Sequence, residues 1–356
     1  MKNFRLLGAG SPLVDYSLEV SEELLQKTVP GGKGCTRNIS LPEKQKILSL
    51  SPSVLRSPGG SAANTVRIFS ALGGSADLFG KLGDDGDAGY FIDSLTAAGA
   101  EGKLLVKDGR FHTGYCLSMI TPDAERTMLS DLGASAELDT ADLDIIDFRN
   151  FGCIILEGYM IRQVWLDEFI RRAKEAGCKI ALDLNNFELV NDFHGEFLKV
   201  LAKGIDLLFA NEQEAQQLCR SEKRSEIIAF LQKNVSTAVI KLGKNGAVFV
   251  DQDNIITTPA LANCRVVDTT GAGDYYAAGF LFGMNCGCPP AKCAALGAIC
   301  AGAIIGKTGV LLDAIIDRQA KLATRGLVQG RRRACAGSGD HRHQVENHDH
   351  DQDQRE

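Results

Sequence analysis

The chain has 356 residues, of which 44% are hydrophobic and 24% are charged, and its formal net charge is -6. This composition is typical of a globular protein, and the mildly acidic balance argues against nucleic-acid binding, which needs a basic surface. No apolar run approaches the roughly 20 residues that span a bilayer, and the N-terminus lacks the long apolar core of a signal peptide. We therefore expect a cytoplasmic protein that binds neither nucleic acid nor membranes.

Eleven cysteines are scattered along the chain rather than grouped as in a small disulfide-rich domain. Some of them, such as Cys153 and Cys300, lie in apolar stretches, where cysteine behaves as a small hydrophobic residue. Cys286, Cys288 and Cys293 are close in sequence, but their spacing fits no standard zinc motif. We therefore expect reduced thiols, as in a cytosolic protein.

Predicted strands and helices alternate along most of the chain. The expected apolar strands lie at residues 4–7, 76–79, 153–156, 179–182, 205–209 and 238–241. The expected helices lie at residues 61–72, 88–98, 164–176, 193–202, 212–218, 275–284 and 291–305. Ser61 is the expected cap of the first helix. This alternation predicts an α/β fold with a parallel sheet covered on both faces, and ligands of such sheets bind at the carboxyl ends of the strands.

Two stretches depart from this alternation. Residues 114–121 and 126–130 flank a turn at Pro122 and Asp123, which predicts a β-hairpin. Residues 14–20 also alternate apolar and polar positions. Together these stretches predict a small sheet that covers the ligand site as a lid. An exposed edge of that lid could pair with a second copy of the chain to form a homodimer.

The C-terminal segment differs in character from the rest of the chain. From about Arg318 the apolar periodicity fades, and the last residues are rich in His, Asp, Gln and Glu. Low hydrophobicity with many charges predicts disorder, so we separate residues 313–356 as an atypical tail. Four tail histidines could bind metal weakly, but a solvated tail is the simpler interpretation. These histidines are His341, His343, His348 and His350.

The most informative string runs from Asp268 to Asp274 and precedes a helical segment. Its glycines, Gly271 and Gly273, allow backbone N–H groups at a helix N-terminus to point at an anion, where the helix dipole adds positive potential. Such a site would stabilise charge on a phosphoryl group during transfer. Asp274 could accept the proton of an attacking hydroxyl. The alternative is a plain turn with a capping aspartate, which a bare Gly-Ala-Gly-Asp would favour.

Five separated segments resemble, in family order, the motifs of the ribokinase-like carbohydrate kinases, also called the PfkB family. The string 268–274 is similar to the C-terminal signature of that family. The other segments are similar to its Gly-Gly…Asn segment, its N-terminal signature, its Asn-x-x-Glu motif and the strand and turn beside the nucleotide. They are residues 57–64, 80–89, 211–214 and 241–247. The likeness spans about residues 5–310 and is specific to the family.

The resemblance implies a ribokinase-like three-layer α/β/α sandwich with a mostly parallel central sheet and a small β-sheet lid. The kinase domain would comprise residues 1–312, with the lid drawn from parts of about 12–58 and 110–132. It also implies transfer of the γ-phosphate of ATP to a hydroxyl of a sugar or nucleoside, with Mg²⁺, and it allows a monovalent cation. The long stretch between Asp15 and Gly59 is more similar to adenosine-kinase-type members, while ribose, fructose and ketodeoxygluconate stay open as substrates.

The resemblance further implies roles for the matched residues. Asp274 would be the general base, with anion-hole amides from Gly271, Ala272 and Gly273. The matched nucleotide-side residues are Asn211, Glu214, Lys241, Gly243, Gly246 and Thr269. The matched substrate-side residues are Asp15, Gly59, Gly60, Asn64 and Arg126. Glu214 would hold Mg²⁺ through water.

Three of these residues have structural alternatives. For Glu214 the alternative is a solvated carboxylate that the helix dipole favours. For Asn64 it is an ordinary polar residue at a helix start, and for Arg126 it is a solvated turn residue. Within the set of matched motifs the functional interpretation is preferred for Glu214.

Two other nucleotide-binding motifs are incomplete. The third glycine of a dinucleotide fingerprint is absent after Gly8 and Gly10, because Leu13 stands in its place. Residues 306–308 have only the end of a Walker string, because residue 301 is alanine. A dehydrogenase is therefore disfavoured. A non-catalytic sugar-binding or nucleotide-binding regulatory protein on the same fold is the other alternative, and the joint presence of Asp274, the glycines and Glu214 argues against it.

Overall fold

The computed structural model describes residues 3–51, 53–123, 125–262, 266 and 268–306. The strands are Leu6–Ala9 (β1), Leu13–Glu19 (β2), Thr36–Asn38 (β3), Val54–Gly59 (β4), Ala76–Leu82 (β5), Leu105–Lys107 (β6), Thr113–Ile120 (β7), Arg126–Gly133 (β8), Cys153–Glu157 (β9), Lys179–Asp183 (β10), Leu207–Asn211 (β11), Thr237–Lys241 (β12), Ala247–Asp251 (β13) and Ile255–Thr258 (β14). The α-helices are Glu22–Thr28 (α1), Leu41–Leu50 (α2), Ser61–Ala71 (α3), Gly86–Ala97 (α4), Leu166–Glu175 (α5), Phe187–Asp192 (α6), His194–Ala202 (α7), Glu212–Cys219 (α8), Arg224–Asn234 (α9), Ala272–Asn285 (α10) and Pro290–Ile304 (α11). Short 3₁₀ helices occupy Ala134–Glu137, Ala141–Ile145, Phe148–Asn150, Gly158–Arg162 and Gly243–Asn245.

The larger sheet has the strand order β14-β13-β12-β11-β10-β9-β1-β5-β6. Neighbouring strands from β12 to β6 pair in parallel, whereas β12, β13 and β14 pair antiparallel. The mostly parallel sheet confirms the α/β fold that the alternating pattern predicts. The antiparallel edge is not among the predicted strands, and it begins directly after the turn at Gly246.

Helices cover both faces of the larger sheet because successive strand residues point to opposite sides. Leu6 packs in one hydrophobic core with Phe69 of α3 and Phe280 of α10. Leu7 packs in the other core with Phe169 of α5. Helices α3, α4, α10 and α11 supply the first core, and α5, α7, α8 and α9 supply the second. The three-layer arrangement predicted from the family resemblance is therefore confirmed.

A smaller sheet with the order β3-β8-β7-β2-β4 lies beside the main one. Strands β7 and β8 pair antiparallel, as the predicted hairpin requires, and β2 pairs with β7 and β4. In β2 the residues Val14, Tyr16 and Leu18 are buried, whereas Asp15 is partly exposed. This alternation gives the small sheet one packed face and one face that carries Asp15.

The predicted tail, residues 313–356, and its histidines lie outside the described residues. Within the described part of the chain, no helix combines the length and the apolar character that crossing a membrane requires.

Candidate active site

Four neighbouring strands of the main sheet end in polar residues at the same edge. Strands β9, β10, β11 and β12 end at Glu157, Asp183, Asn211 and Lys241, respectively, after apolar and buried stretches. Because parallel strands place their carboxyl ends side by side, these side chains share one edge of the sheet. The edge therefore concentrates charged and amide groups where ligands of α/β proteins bind.

The N-terminus of α10 faces this edge and carries the glycine-rich turn. Gly271 is the N-cap of the helix with a φ of 74°, a left-handed conformation that glycine adopts without steric cost. The amide of Ala272 donates to the carbonyl oxygen of Thr269 over 3.1 Å. The amides of Gly273 and Asp274 have no acceptor among the described residues. The amide of Ala272 therefore has an internal partner, and its expected anion-hole role stays a prediction.

Asp274 lies in the first turn of α10, and both of its carboxylate oxygens accept hydrogen bonds from α3. Ser61 Oγ donates to Oδ1 over 2.6 Å, and Asn64 Nδ2 donates to Oδ2 over 2.9 Å. Ser61 Oγ itself accepts from Asn185 Nδ2 over 2.7 Å. Asn185 and Ser61 thus form one hydrogen-bonded chain to the carboxylate of Asp274, and Asn64 holds its other oxygen.

Burial raises the pKa of Asp274 to about 7. The donors Ser61 and Asn64 act in the opposite direction because they stabilise the charged carboxylate. Among the charged neighbours, Asp183 raises this pKa and Lys241 lowers it. A carboxylate with a pKa near neutrality is suited to accept a proton at physiological pH.

Ser61 does not cap α3, which corrects the sequence prediction. The N-cap is Gly60, with a φ of 93°, and Ser61 is the first helical residue. Glu157 takes over part of the capping, because its Oε2 accepts from the amide of Ala62 over 3.0 Å. Its Oε1 accepts from the amide of Ser11 over 2.7 Å. Ser61 is consequently free to donate its hydroxyl to Asp274.

Three of the predicted substrate residues, Asp15, Gly59 and Gly60, lie together where β2 pairs with β4 ahead of α3, and we call this region the acceptor cleft. A Cβ added to Gly59 would collide with the carboxylate of Asp15, so this close approach requires glycine. Burial, followed by the charge of Asp274, raises the pKa of Asp15 to about 7, while Arg67 opposes the shift. Asp15 and Asp274 therefore lie close enough to interact electrostatically.

Asn64 is held by two neighbouring side chains. Its Nδ2 is used by Asp274, and its Oδ1 accepts from Arg67 over 3.4 Å. The residue is 4% exposed. In this structure Asn64 supports the carboxylate of Asp274, and its contact with substrate stays a prediction.

Arg126 connects the small sheet to the glycine-rich turn. Its NH2 lies 2.7 Å from Asp268 Oδ1, and its NH1 contacts the hydroxyl of Thr270. Asp268 Oδ1 also accepts from the amide of Thr270 over 2.7 Å. The alternative of a solvated turn residue is therefore wrong for Arg126. Its side chain links β8 of the small sheet to the glycine-rich turn before α10.

A cavity of about 730 Å³ opens beside the glycine-rich turn, a volume in the range of small-molecule sites. Four of the predicted nucleotide-side residues line it, namely Lys241, Gly243, Gly246 and Thr269. Ala298, Ala301 and Ile305 form the wall on the side of α11. Gly273 also lines this cavity, which therefore extends to the N-terminus of α10.

Asn211 and Glu214 form a capping box at the start of α8. Asn211 Oδ1 accepts from the amide of Glu214 over 2.8 Å, and the Glu214 carboxylate accepts from the amide and Nδ2 of Asn211, each over 2.7 Å. Glu214 is 3% exposed, so the alternative of a solvated carboxylate is wrong. Burial raises the pKa of Glu214 to about 7, Lys241 lowers it, and Asp183 raises it.

The described cysteines are free thiols. Cys293 Sγ donates to the carbonyl oxygen of Cys288 over 3.4 Å. Across the described residues there is no cluster of three or more His, Cys, Asp or Glu side chains that could hold a metal ion.

Sequence reasoning missed four polar residues that the structure brings into the site. Glu157 and Asp183 follow apolar strands, and a carboxylate at the end of such a strand is a signal that could have identified both. Asn185 and Arg67 act through Ser61 and Asn64, and no local pattern marks them.

The fold and the site together define an α/β enzyme in which a helix N-terminus with open amides lies beside a buried carboxylate. The chain belongs to the pfkB family of carbohydrate kinases, whose pattern it matches over residues 34–316. Aminoimidazole riboside kinase of Salmonella typhimurium is 29% identical over 255 residues, which are 69% of this chain and 77% of that protein.

Two solved structures share the fold over nearly the whole of their chains. A probable sugar kinase from Rhizobium etli CFN 42 has a TM-score of 0.80 at 29% identity, covering 92% of this chain and 100% of that one. Adenosine kinase from Sinorhizobium meliloti has a TM-score of 0.79 at 30% identity, covering 91% and 99%. The protein is therefore a sugar or nucleoside kinase, a phosphotransferase with an alcohol group as acceptor, and its family implies the use of ATP.

Proposed function

We propose that the protein phosphorylates a hydroxyl of a ribonucleoside, with ATP as the donor and Asp274 as the general base. One observation carries the role of Asp274. Its carboxylate is buried at the N-terminus of α10, held by Ser61 and Asn64, and adjoins amides that have no acceptor among the described residues. A base and an anion-binding site thus adjoin, as in-line phosphoryl transfer requires.

In the proposed step Asp274 accepts the proton of the acceptor hydroxyl. The acceptor oxygen forms a bond to phosphorus as the bond from that phosphorus to the bridging oxygen of departing ADP breaks. Ser61 and Asn64 keep the carboxylate aimed at the cleft, and each oxygen retains a lone pair for the proton. The amides of Gly273 and Asp274 stabilise negative charge on the transferred group.

Glu214 is better suited to bind Mg²⁺ through a water molecule than to coordinate it directly. Its oxygens each accept one hydrogen bond from Asn211, which leaves lone pairs for metal-bound water. Mg²⁺ usually keeps several waters and needs few protein carboxylates, in accord with the lack of a three-residue ligand cluster among the described residues. Bound Mg²⁺ would neutralise charge on the phosphates, and Glu214 would orient its water.

The acceptor cleft supports a nucleoside as substrate. Asp15 can accept two hydroxyl hydrogen bonds from a ribose diol. Tyr159 is 48% exposed, and its hydroxyl interacts electrostatically with Glu157 and Asp274, which places its ring beside the acids of the site. An exposed aromatic face beside a sugar site suits stacking with a base. The names of the riboside and adenosine kinase relatives agree with this choice.

We also propose that residues 1–312 form the kinase domain and that the small sheet acts as its lid. Arg126 already reaches from β8 to the glycine-rich turn. A lid that closes over the cleft would exclude water from the transfer.

The deciding experiment measures Mg²⁺-dependent and ATP-dependent ADP release with adenosine, other nucleosides, ribose, fructose and ketodeoxygluconate as acceptors. Release that a nucleoside stimulates, and that Asp274→Asn abolishes, is the expected result. Stimulation by a free sugar alone would keep the kinase and overturn the nucleoside assignment. ATP binding without release for any acceptor would favour a non-catalytic binding protein.

A further inference from the structure

Lys241 is a charged residue at the centre of the site that the proton transfer to Asp274 does not use. It ends β12, and its side chain, 15% exposed, lines the cavity on the nucleotide side. Its Nζ donates to Asp183 Oδ2 over 2.8 Å, and the Asp183 side chain is 5% exposed. The ion pair is therefore largely shielded from solvent.

The ammonium of Lys241 lies against the N-terminal turn of α10. A Cβ built on Gly273 would be 3.1 Å from Lys241 Nζ, so a side chain at this position would crowd the ammonium. A cation beside a helix N-terminus is electrostatically unfavourable, because the dipole already makes that end positive. Together with the amides of Gly273 and Asp274, the arrangement concentrates positive potential that an anion would neutralise.

The ion pair with Asp183 leaves part of the ammonium unused. A lysine ammonium has three N–H donors, and Asp183 is the single hydrogen-bonding partner of the Lys241 ammonium among the described residues. The buried Lys81 of β5 is different, since its Nζ contacts both Asp142 Oδ2 and the carbonyl oxygen of Glu137, each over 2.7 Å. Lys241 is thus oriented by one partner and has donors left for a ligand.

Lys241 stays charged in this setting. Burial alone would lower its pKa, but the carboxylates of Asp183 and Glu214 outweigh that effect and raise the pKa above its ordinary value. The site therefore contains a permanent cation at neutral pH.

We propose that Lys241 is a catalytic residue whose ammonium binds the transferred phosphoryl group, and that Asp183 is the positioning residue that aims it. This inference rests on the proposed phosphoryl transfer. Lys241 neutralises negative charge on the phosphoryl oxygens while the bond to ADP breaks and the bond to the acceptor forms. It keeps its own protons throughout, because Asp274 receives the proton of the acceptor hydroxyl.

The first test compares the binding of ATP and of ADP, each with Mg²⁺, to the wild type and to Lys241→Met by titration calorimetry. ATP affinity should fall by about tenfold to a hundredfold, the worth of a charge-assisted hydrogen bond. ADP affinity should change little, because ADP lacks the γ-phosphoryl group. Equal losses of ATP and ADP affinity, or no loss of either, would overturn the proposal.

A second test separates catalysis from folding, because Lys241→Met leaves the carboxylate of Asp183 buried without its partner. The double variant Asp183→Asn/Lys241→Met removes both charges. We expect it to recover the Tm lost by Lys241→Met while kcat stays reduced by about a hundredfold or more. Recovery of kcat together with Tm would assign the ion pair a purely structural role.

Lys81→Met, alone and with Asp142→Asn, is the matched control from a buried Lys–Asp pair outside the cavity. It should lower the Tm and keep the preference for ATP over ADP; a loss of that preference would contradict the assignment to Lys241.

The binding comparison also stays informative if wild-type protein releases no ADP with any acceptor. That result would refute the proposed function, whereas equal ATP and ADP losses in Lys241→Met would refute the role of Lys241.

Discussion

Helices α8 and α10 begin at the same edge of the main sheet, but they satisfy their N-terminal amides in different ways. At α8 the side chain of Asn211 accepts from the amide of Glu214, and the carboxylate of Glu214 returns to Asn211. At α10 the N-cap is Gly271, which has no side chain, and the amides of Gly273 and Asp274 have no acceptor among the described residues. Lys241 interacts electrostatically with the acid of each helix.

The difference separates a helix start that is stabilised internally from one that is left open to a ligand. The closed box at α8 contributes to stability and holds Glu214 in place. The open start at α10 forgoes a cap, which typically costs about 1 kcal/mol, and keeps amides available for an anion. Changes at the α10 turn should therefore affect turnover, and loss of the cap at α8 should affect stability.

The largest effect is expected for Asp274→Asn. The amide side chain cannot accept the acceptor proton at neutral pH, so kcat should fall by about a hundredfold to ten-thousandfold. ATP affinity should change little, because the backbone amides of the turn remain. Steady-state kinetics and titration calorimetry together measure both quantities.

Glu214→Gln is the counterpart at α8. Glutamine can keep the capping box, so this variant should raise the KM for Mg·ATP more than it lowers kcat. A loss of kcat as large as that of Asp274→Asn would show that the start of α8 contributes to turnover as directly as the start of α10.

Gly271→Ala should have the next largest effect. Alanine at a φ of 74° is strained by roughly 1–2 kcal/mol, and relief of the strain would move the anion-binding amides. The kcat should fall by about a hundredfold, as when an oxyanion-hole donor is lost.

Gly287→Ala is a matched control at the other end of α10, where the φ of Gly287 is 75°. It should cost a similar free energy of unfolding and leave kcat unchanged. If both variants lose kcat equally, the effect of Gly271→Ala is strain on the helix and not loss of the anion site.

The same comparison explains how much of the site the sequence could predict. The box of Asn211 and Glu214 depends on a spacing of three residues, and the glycines of the α10 turn are two residues apart, so both are visible locally. Ser61 and Asp274 are 213 residues apart, and Lys241 and Asp183 are 58 apart. These contacts depend on the order of strands in the sheet, which alternating apolar segments do not specify.

The sequence also does not show which of two possible roles a polar residue takes in the fold. Ser61 has the residue type and the position of an N-cap, yet Gly60 takes that place and Glu157 binds the amide of Ala62. The fold class and the small sheet follow from periodicity because burial sets the period of each strand. The antiparallel strand β13 was missed because its short apolar run lacks the flanking helix of the repeating unit.

A smaller effect is expected in the pH dependence of turnover. With a pKa of about 7, Asp274 is protonated at lower pH, so kcat/KM should fall about tenfold per pH unit below that value. Ser61→Ala removes a donor that stabilises the charged carboxylate, so the pKa should rise and the acid limb should move to higher pH.

Ser70→Ala is the matched control in the same helix, since the buried Ser70 hydroxyl has no hydrogen-bond partner among the described residues. Its acid limb should stay at the wild-type position. An unshifted limb in Ser61→Ala would show that another group controls the pH dependence.

The smallest effect is expected for Asn211→Ala, measured by urea denaturation of the ligand-free protein. Loss of the cap should lower the free energy of unfolding by about 1 kcal/mol. The loss should be larger at pH 8 than at pH 5. Burial raises the folded-state pKa of Glu214 to about 7, above its unfolded value, so this group favours folding at low pH and loses that contribution as pH rises through 7.

Removing Asn211 Nδ2 takes away a donor to the charged form of Glu214, which raises its pKa further and increases the loss at high pH. Ser21→Ala provides the contrast, because Ser21 caps α1 through the amide of Leu24 without a buried acid. Its loss of stability should be the same at both pH values. A loss for Asn211→Ala that is equally independent of pH would mean that the box stabilises α8 as an ordinary cap, and that the burial of Glu214 has no energetic link to it.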